Sequence, residues 1–190
     1  MDLENRILEI SKKKHFGHIG SCLSVLPILV DIYEHKKKGD LVILDNAHAH
    51  LAHLVVREKY EGLKGIQWKL THFGIHCDKQ VGCDVSGGSL GHGIGLGIGL
   101  ALVDRSRAIY VVVSDGSMME GSNWEALRIR DSLKLKNLKI YCNFNGYSAM
   151  EPVDILTMEC RMRIFNADPQ VFWTDNGKGF AGVEGHYKVL

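Results

Sequence analysis

Three short apolar runs, Leu41 to Leu44, Ala108 to Val113 and Leu138 to Cys142, constrain the fold of this chain more than any other feature. None alternates apolar with polar residues, which is the pattern of parallel strands buried on both faces. Val171 to Trp173 offers a fourth, shorter run. Helical periodicity separates the runs, over residues 49–60, the glycine-rich 91–103 and 122–134, the last opening with Ser122 and Glu125 at capping-box spacing. Two further helical patterns precede the first run. Residues 2–14 set Leu3, Ile7 and Ile10 on one face, Ser21 to His35 repeats the pattern, and Phe16 to Gly20 reads as the turn between them. Residues 149–167 carry no assignable pattern. Strands alternating with helices imply a doubly wound α/β fold, a mainly parallel sheet with helices on both faces. A length of 190 residues with 45% hydrophobic content fits a single domain, residues 1–190.

Charge excludes some functions. With 23 basic and 22 acidic residues the formal charge is +1, so no global field points to nucleic acid or an anionic membrane. The longest apolar stretch, Ile94 to Val103, is broken by glycines and is about half of the roughly 20 residues that span a bilayer. Five cysteines form no C-x-x-C pair, and no basic stretch leads into an apolar signal core, which fits free thiols in the cytoplasm.

In a sheet of this kind ligands collect outside the carboxyl ends of the strands. Those junctions read Asp45-Asn46-Ala47-His48, Ser114-Asp115-Gly116-Ser117 and Asn143-Phe144-Asn145-Gly146. Asp115 and Asn145 lie 30 residues apart, one helix plus one strand, so a carboxylate and an amide oxygen reach neighbouring strand ends. Two hard oxygen ligands there suit a Mg²⁺ or Ca²⁺ that also binds phosphate oxygens. Gly116 allows close backbone approach, and the following helix supplies N–H groups. Asp-Gly and Asn-Gly pairs are also ordinary turn sequences.

Four ordered motifs resemble those of the transketolase family. Ser114 to Ala126 is similar to G-D-G-x-x-x-E-G-x-x-W-E-A, Gly17-His18-Ile19-Gly20 to G-H-P-G, Asp45 to Ala49 to S-x-G-H-A, and Ser86 to Gly93 to T-x-G-S-L-G-Q-G. With Gly177-Lys178-Gly179 and His186 they cover nearly the whole chain. The resemblance implies thiamine diphosphate as cofactor, with Mg²⁺ or Ca²⁺ held by Asp115, Asn145 and the carbonyl of Tyr147. It implies that His48, Gly116, Ser117 and His186 contact the diphosphate, and that Gly88, Ser89 and Leu90 border the cofactor rings. His18 and His76 correspond to histidines that meet substrate oxygens, and Glu120 to a carboxylate that communicates between paired active sites. Such histidines, near pKa 6.5 when unperturbed, suit proton transfer at neutral pH. The implied reaction is ketol transfer from a ketose to an aldose, on sugar or sugar-phosphate substrates.

Departures from the family set further expectations. Ser114 replaces the first glycine of G-D-G, Ile19 the proline of G-H-P-G, His92 a glutamine, and Asn143 an aspartate. The region from about 150 to 176 is short for further helices and a strand, so the sheet is expected to be trimmed at that edge. No room remains for the pyrimidine-binding domain. The chain is therefore expected to be inactive alone and to assemble with a separately encoded pyrimidine-binding subunit, two copies of each in a heterotetramer. A non-catalytic binding module derived from the same fold is the alternative.

Two rival readings come from the residues themselves. The glycines at 91–99 fit neither G-x-G-x-x-G nor a P-loop; as a helix they pair Gly93 with Gly97 and Gly95 with Gly99 on shared faces. His48, His50 and His53 form H-x-H-x-x-H, which invites zinc, with Cys77 and Cys83 as possible soft ligands. On a helix His50 and His53 share a face and His48 does not, so ligation by all three is disfavoured.

Overall fold

A computed structural model describes residues 2–74, 76–146, 148, 151–165 and 169–173. The described chain forms two compact units, one of residues up to His35 with Ala47–Gly88, the other of Lys36–Asn46 with the described residues from Ser89 onward.

The first unit is helical: α1 (Leu3–Lys14), α2 (Ile19–His35), α3 (His50–Glu61) and α4 (Ile66–Phe73), with 3-10 turns at Ala47–Ala49 and Lys79–Val81. The Asp2 side chain caps α1 by accepting from the N–H groups of Glu4 and Asn5, while Lys12, Lys13 and Lys14 lie in its last turn, where the dipole favours cations. Leu3, Ile7 and Ile10 are buried as the periodicity requires. Helix α2 starts at Ile19, so Ile19 and Gly20, expected in a turn, are helical. It also runs through Pro27, and most of its residues are buried, packing that outweighs the lost backbone bond.

The second unit holds one parallel sheet of β1 (Leu41–Leu44), β2 (Ile109–Ser114), β3 (Leu138–Phe144) and β4 (Gln170–Trp173), paired in that order. It is the α/β architecture expected. The described strands follow sequence order, with no reversal among them. Successive residues Ile109 to Val113 are all buried, so both faces of β2 are covered and alternation is absent. Four helices belong to this unit: α5 (Gly93–Val103), α6 (Asp115–Met118), α7 (Gly121–Ser132) and α8 (Ile155–Ile164).

The region after residue 150 carries α8 and β4, with Met162 of α8 against Cys142 of β3. One expectation is corrected here. The capping box sits on α6 instead of α7. Ser114 and Ser117 exchange hydroxyl and backbone N–H bonds, whereas the Ser122 hydroxyl donates to the Gly91 carbonyl and Glu125 pairs with Arg128.

Helix α5 explains its glycines. A Cβ on Gly97 would lie 2.8 Å from both Leu138 Cδ1 and Val111 Cγ2, so the Gly93/Gly97 face packs directly on the sheet. Gly95 and Gly99 have open space where a Cβ would be, beside the exposed Leu96, Leu102 and Val103. Gly97→Leu should therefore lower stability by about 1–3 kcal/mol through overpacking. Gly95→Ala should raise it by roughly 0.5–1 kcal/mol. Urea unfolding of both variants checks the contrast.

Candidate functional site

Each strand end of the second unit delivers a polar group. At the end of β1, Asp45 is 2% exposed, and its carboxylate accepts from Gly91 N–H at 3.0 Å, from Gly93 N–H and from the Asn123 amide at 3.3 Å. Asn123 donates as well to the Ser117 carbonyl at 2.9 Å. A Cβ on Gly93 would sit 2.7 Å from Asp45 Cβ, and Gly91 adopts φ +88° with Ser122 and Glu120 against it, so both positions require glycine. Beside Asp45, the buried Asn46 has neither amide atom hydrogen-bonded among the described residues. A buried amide without partners is costly in a closed core and fits a group that meets a ligand. Its sequence signal was only its place at a strand end.

At the end of β2, Asp115 is 1% exposed. Its two carboxylate oxygens accept from the backbone N–H groups of Asn145 at 2.9 Å and Gly146 at 3.1 Å. The loop after β3 thus closes on the loop after β2. Burial raises the Asp115 pKa above the usual carboxylate range, opposed by these backbone bonds. A cation at this carboxylate would offset the burial penalty. Gly116 follows in α6, where a Cβ would lie 3.2 Å from Leu90 Cδ1. Ser117 is buried with its hydroxyl in the capping box, Ser89 is exposed, and Glu120 is exposed at the N-cap of α7.

The first unit brings together other expected residues. His18 has φ +59°, a left-handed backbone that costs a non-glycine residue about 1–2 kcal/mol and is kept where its surroundings hold it. Its ring centroid is 4.8 Å from that of His48, in the turn Ala47–Ala49. His76 is exposed and borders Gly88, where a Cβ would lie 3.5 Å from the imidazole. Tyr147, Gly177-Lys178-Gly179 and His186 lie outside the described residues.

Sequence reasoning set aside one cluster that forms. His50, Cys77 and Cys83 are buried, with ligand atoms within 4.8 Å of one another. The hydrogen bond from Cys77 holds the Cys83 thiol well below the usual range, against burial, with His50 and His53 adding to the shift; Cys77 is raised in turn. His48 is no part of this group among the described residues; it lies in the 3-10 turn Ala47–Ala49, ahead of α3.

Residues 2–171 match the family described as 1-deoxy-D-xylulose-5-phosphate synthase. The chain belongs to this transketolase-like family. It is 30% identical over 148 residues to an apulose-4-phosphate transketolase subunit of Actinobacillus succinogenes, covering 65% of this chain and 52% of that protein. To the 6-deoxy-6-sulfo-D-fructose transketolase subunit of a Clostridium species it is 29% identical over 159 residues, covering 73% of this chain and 58% of the other. Human transketolase is 27% identical over 162 residues, with 73% and 26% covered. In structure, transketolase from Leishmania mexicana superposes with TM-score 0.67 and 20% identity over 84% of this chain and 29% of that one, a likeness of fold. The chain spans about half the length of the transketolase subunits it matches. Among the described residues no helix is long and apolar enough to cross a membrane.

Removing the Asp45 carboxylate leaves two glycine amides and the Asn123 amide without their acceptor. Asp45→Ala should cost about 3 kcal/mol or more, on the basis of about 1–3 kcal/mol per buried polar group left unsatisfied. The urea midpoint reads the loss.

Proposed function

We propose that this chain is the thiamine diphosphate- and divalent metal-binding subunit of a split transketolase, a cytoplasmic enzyme that transfers a two-carbon ketol unit from a ketose to an aldose. One observation carries the reading: a carboxylate, Asp115, buried at one strand end with its pKa raised by burial and tied to the Asn145 loop at the next. Among the described residues its hydrogen-bond partners are backbone amides, not a cationic side chain. That donor set, a carboxylate beside an amide, fits a hard divalent cation. The family and the two relatives named as transketolase subunits support the same assignment.

In this reading residues 1–190 act as one diphosphate-binding domain. Asp115, Asn145 and the Tyr147 carbonyl hold Mg²⁺, or Ca²⁺, while His48, Gly116, Ser117 and His186 contact the diphosphate. Gly88, Ser89 and Leu90 border the rings. Thiamine diphosphate, when bound, supplies the electron sink for two-carbon transfer. The chain's own work is orientation and proton movement. His18 and His76 hold and move protons at substrate hydroxyl and carbonyl oxygens, a task suited to imidazole at neutral pH. Glu120 links paired active sites.

In this reading the pyrimidine-binding half comes from a separately encoded subunit, two copies of each forming the enzyme. The apolar, solvent-facing side of α5, with Leu96, Leu102 and Val103, supports a protein partner. Sugars or sugar phosphates are the substrates. The family's description favours a second reading, in which the same site makes a 1-deoxysugar phosphate.

Titration calorimetry with thiamine diphosphate tests the proposal. Binding should require Mg²⁺, disappear with chelator, tighten when a pyrimidine-domain subunit is added, and fall at least tenfold in Asp115→Ala. Unchanged affinity in that variant would overturn the metal assignment. No binding under any condition would favour a module without catalysis.

A further inference from the structure

Outside the proposed cofactor site, the first unit contains a cluster that the transfer reaction does not use. His50, on α3, places Nδ1 3.2 Å from Cys83 Sγ, and with Cys77 the three donors lie within 4.8 Å of one another, all buried. Tetrahedral zinc with thiolate and imidazole bonds of about 2.3 and 2.0–2.1 Å sets neighbouring ligands roughly 3.5 Å apart, a spacing this cluster reaches with small side-chain adjustments.

A candidate fourth donor lies beside this group, outside its 4.8 Å spread. His53 lies one turn along α3 from His50, is fully buried, and has Nδ1 without a hydrogen bond among the described residues. Its Nε2 lies 2.8 Å from the Tyr33 hydroxyl, the outer-shell contact that fixes the tautomer and orientation of a metal-bound histidine. Two thiols and two imidazoles, removed from water, form a soft donor set; beyond it, among the described residues, Cys77 Sγ meets only a long contact, the Ala47 carbonyl at 3.9 Å. The Asp115 site is of the opposite kind, built from hard oxygens.

We propose that His50, His53, Cys77 and Cys83 form a structural zinc site that clamps the Cys77–Cys83 segment onto α3. That segment follows directly on His76 and includes the 3-10 turn Lys79–Val81. A closed four-ligand site leaves no open position for substrate, so its role is to fix this segment.

The test uses the full chain without an affinity tag, expressed with zinc in the medium. Elemental analysis should find about one zinc per chain, a stoichiometry that follows from a single four-ligand site. The zinc should persist in Asp115→Ala and in Cys160→Ser, the exposed cysteine, and be lost in Cys83→Ser and His50→Ala. Cobalt exchanged into the wild-type chain should show thiolate-to-metal charge transfer and the visible bands of a tetrahedral ion, a readout that stands even where a variant fails to fold. A strong chelator should lower the Tm. Wild-type protein without zinc or cobalt bands would overturn the proposal, as would a denatured thiol count two below the chain's five cysteines, which would mark a Cys77–Cys83 disulfide instead.

Discussion

Much of the second unit depends on how one buried carboxylate is satisfied. Asp45 ends β1, and its oxygens hold the amides that open α5 and the side chain of Asn123 on α7. These partners lie 46, 48 and 78 residues away in the chain, so a single charge fixes where three elements meet. Removing such a charge from water is tolerated only when hydrogen bonds replace the lost hydration. The bonds are reachable because residues 91 and 93 are glycines, and a side chain at either would collide with its neighbours. The glycine-rich segment is thus the complement of an acidic strand end, more than a flexible stretch.

The neighbouring strand ends follow the same logic with a different outcome. Asp115 is as deeply buried as Asp45, yet among the described residues its partners are backbone amides, those of the 145–146 loop and its own, and burial raises its pKa. Asp45 gathers three donors, from the turn before α5, from α5 itself and from α7; Asp115 would gain from a cation. Parallel strands bring such groups together because every strand ends at the same edge, and the hydrophobic runs that build the sheet also collect its polar chemistry there.

The strand runs were legible within one or two residues, because uninterrupted apolar segments bounded by turn residues have few other uses. Helix α8 was not, because only Met158 and Met162 of its residues are buried, too sparse for a periodic stripe. The misplaced capping box has a different cause. Ser122 and Glu125 have the right spacing, but the Ser122 hydroxyl is drawn to the Gly91 carbonyl, a partner 31 residues away.

By itself the sequence determined the order of the strands and of helices α1, α2, α3, α5 and α7, the polar character of each strand end and the ordered motifs that mark the family. Those features are local: spacing along the chain reports which side of an element is apolar and where the backbone must turn. Only the tertiary structure decided that His50 and Cys83, 33 residues apart, come within 3.2 Å, that Asn46 is buried without a partner among the described residues, and that Asp45 anchors α5 and α7. A buried polar atom takes its partner from whatever distant segment packing brings to it, and no periodicity along the chain encodes that meeting.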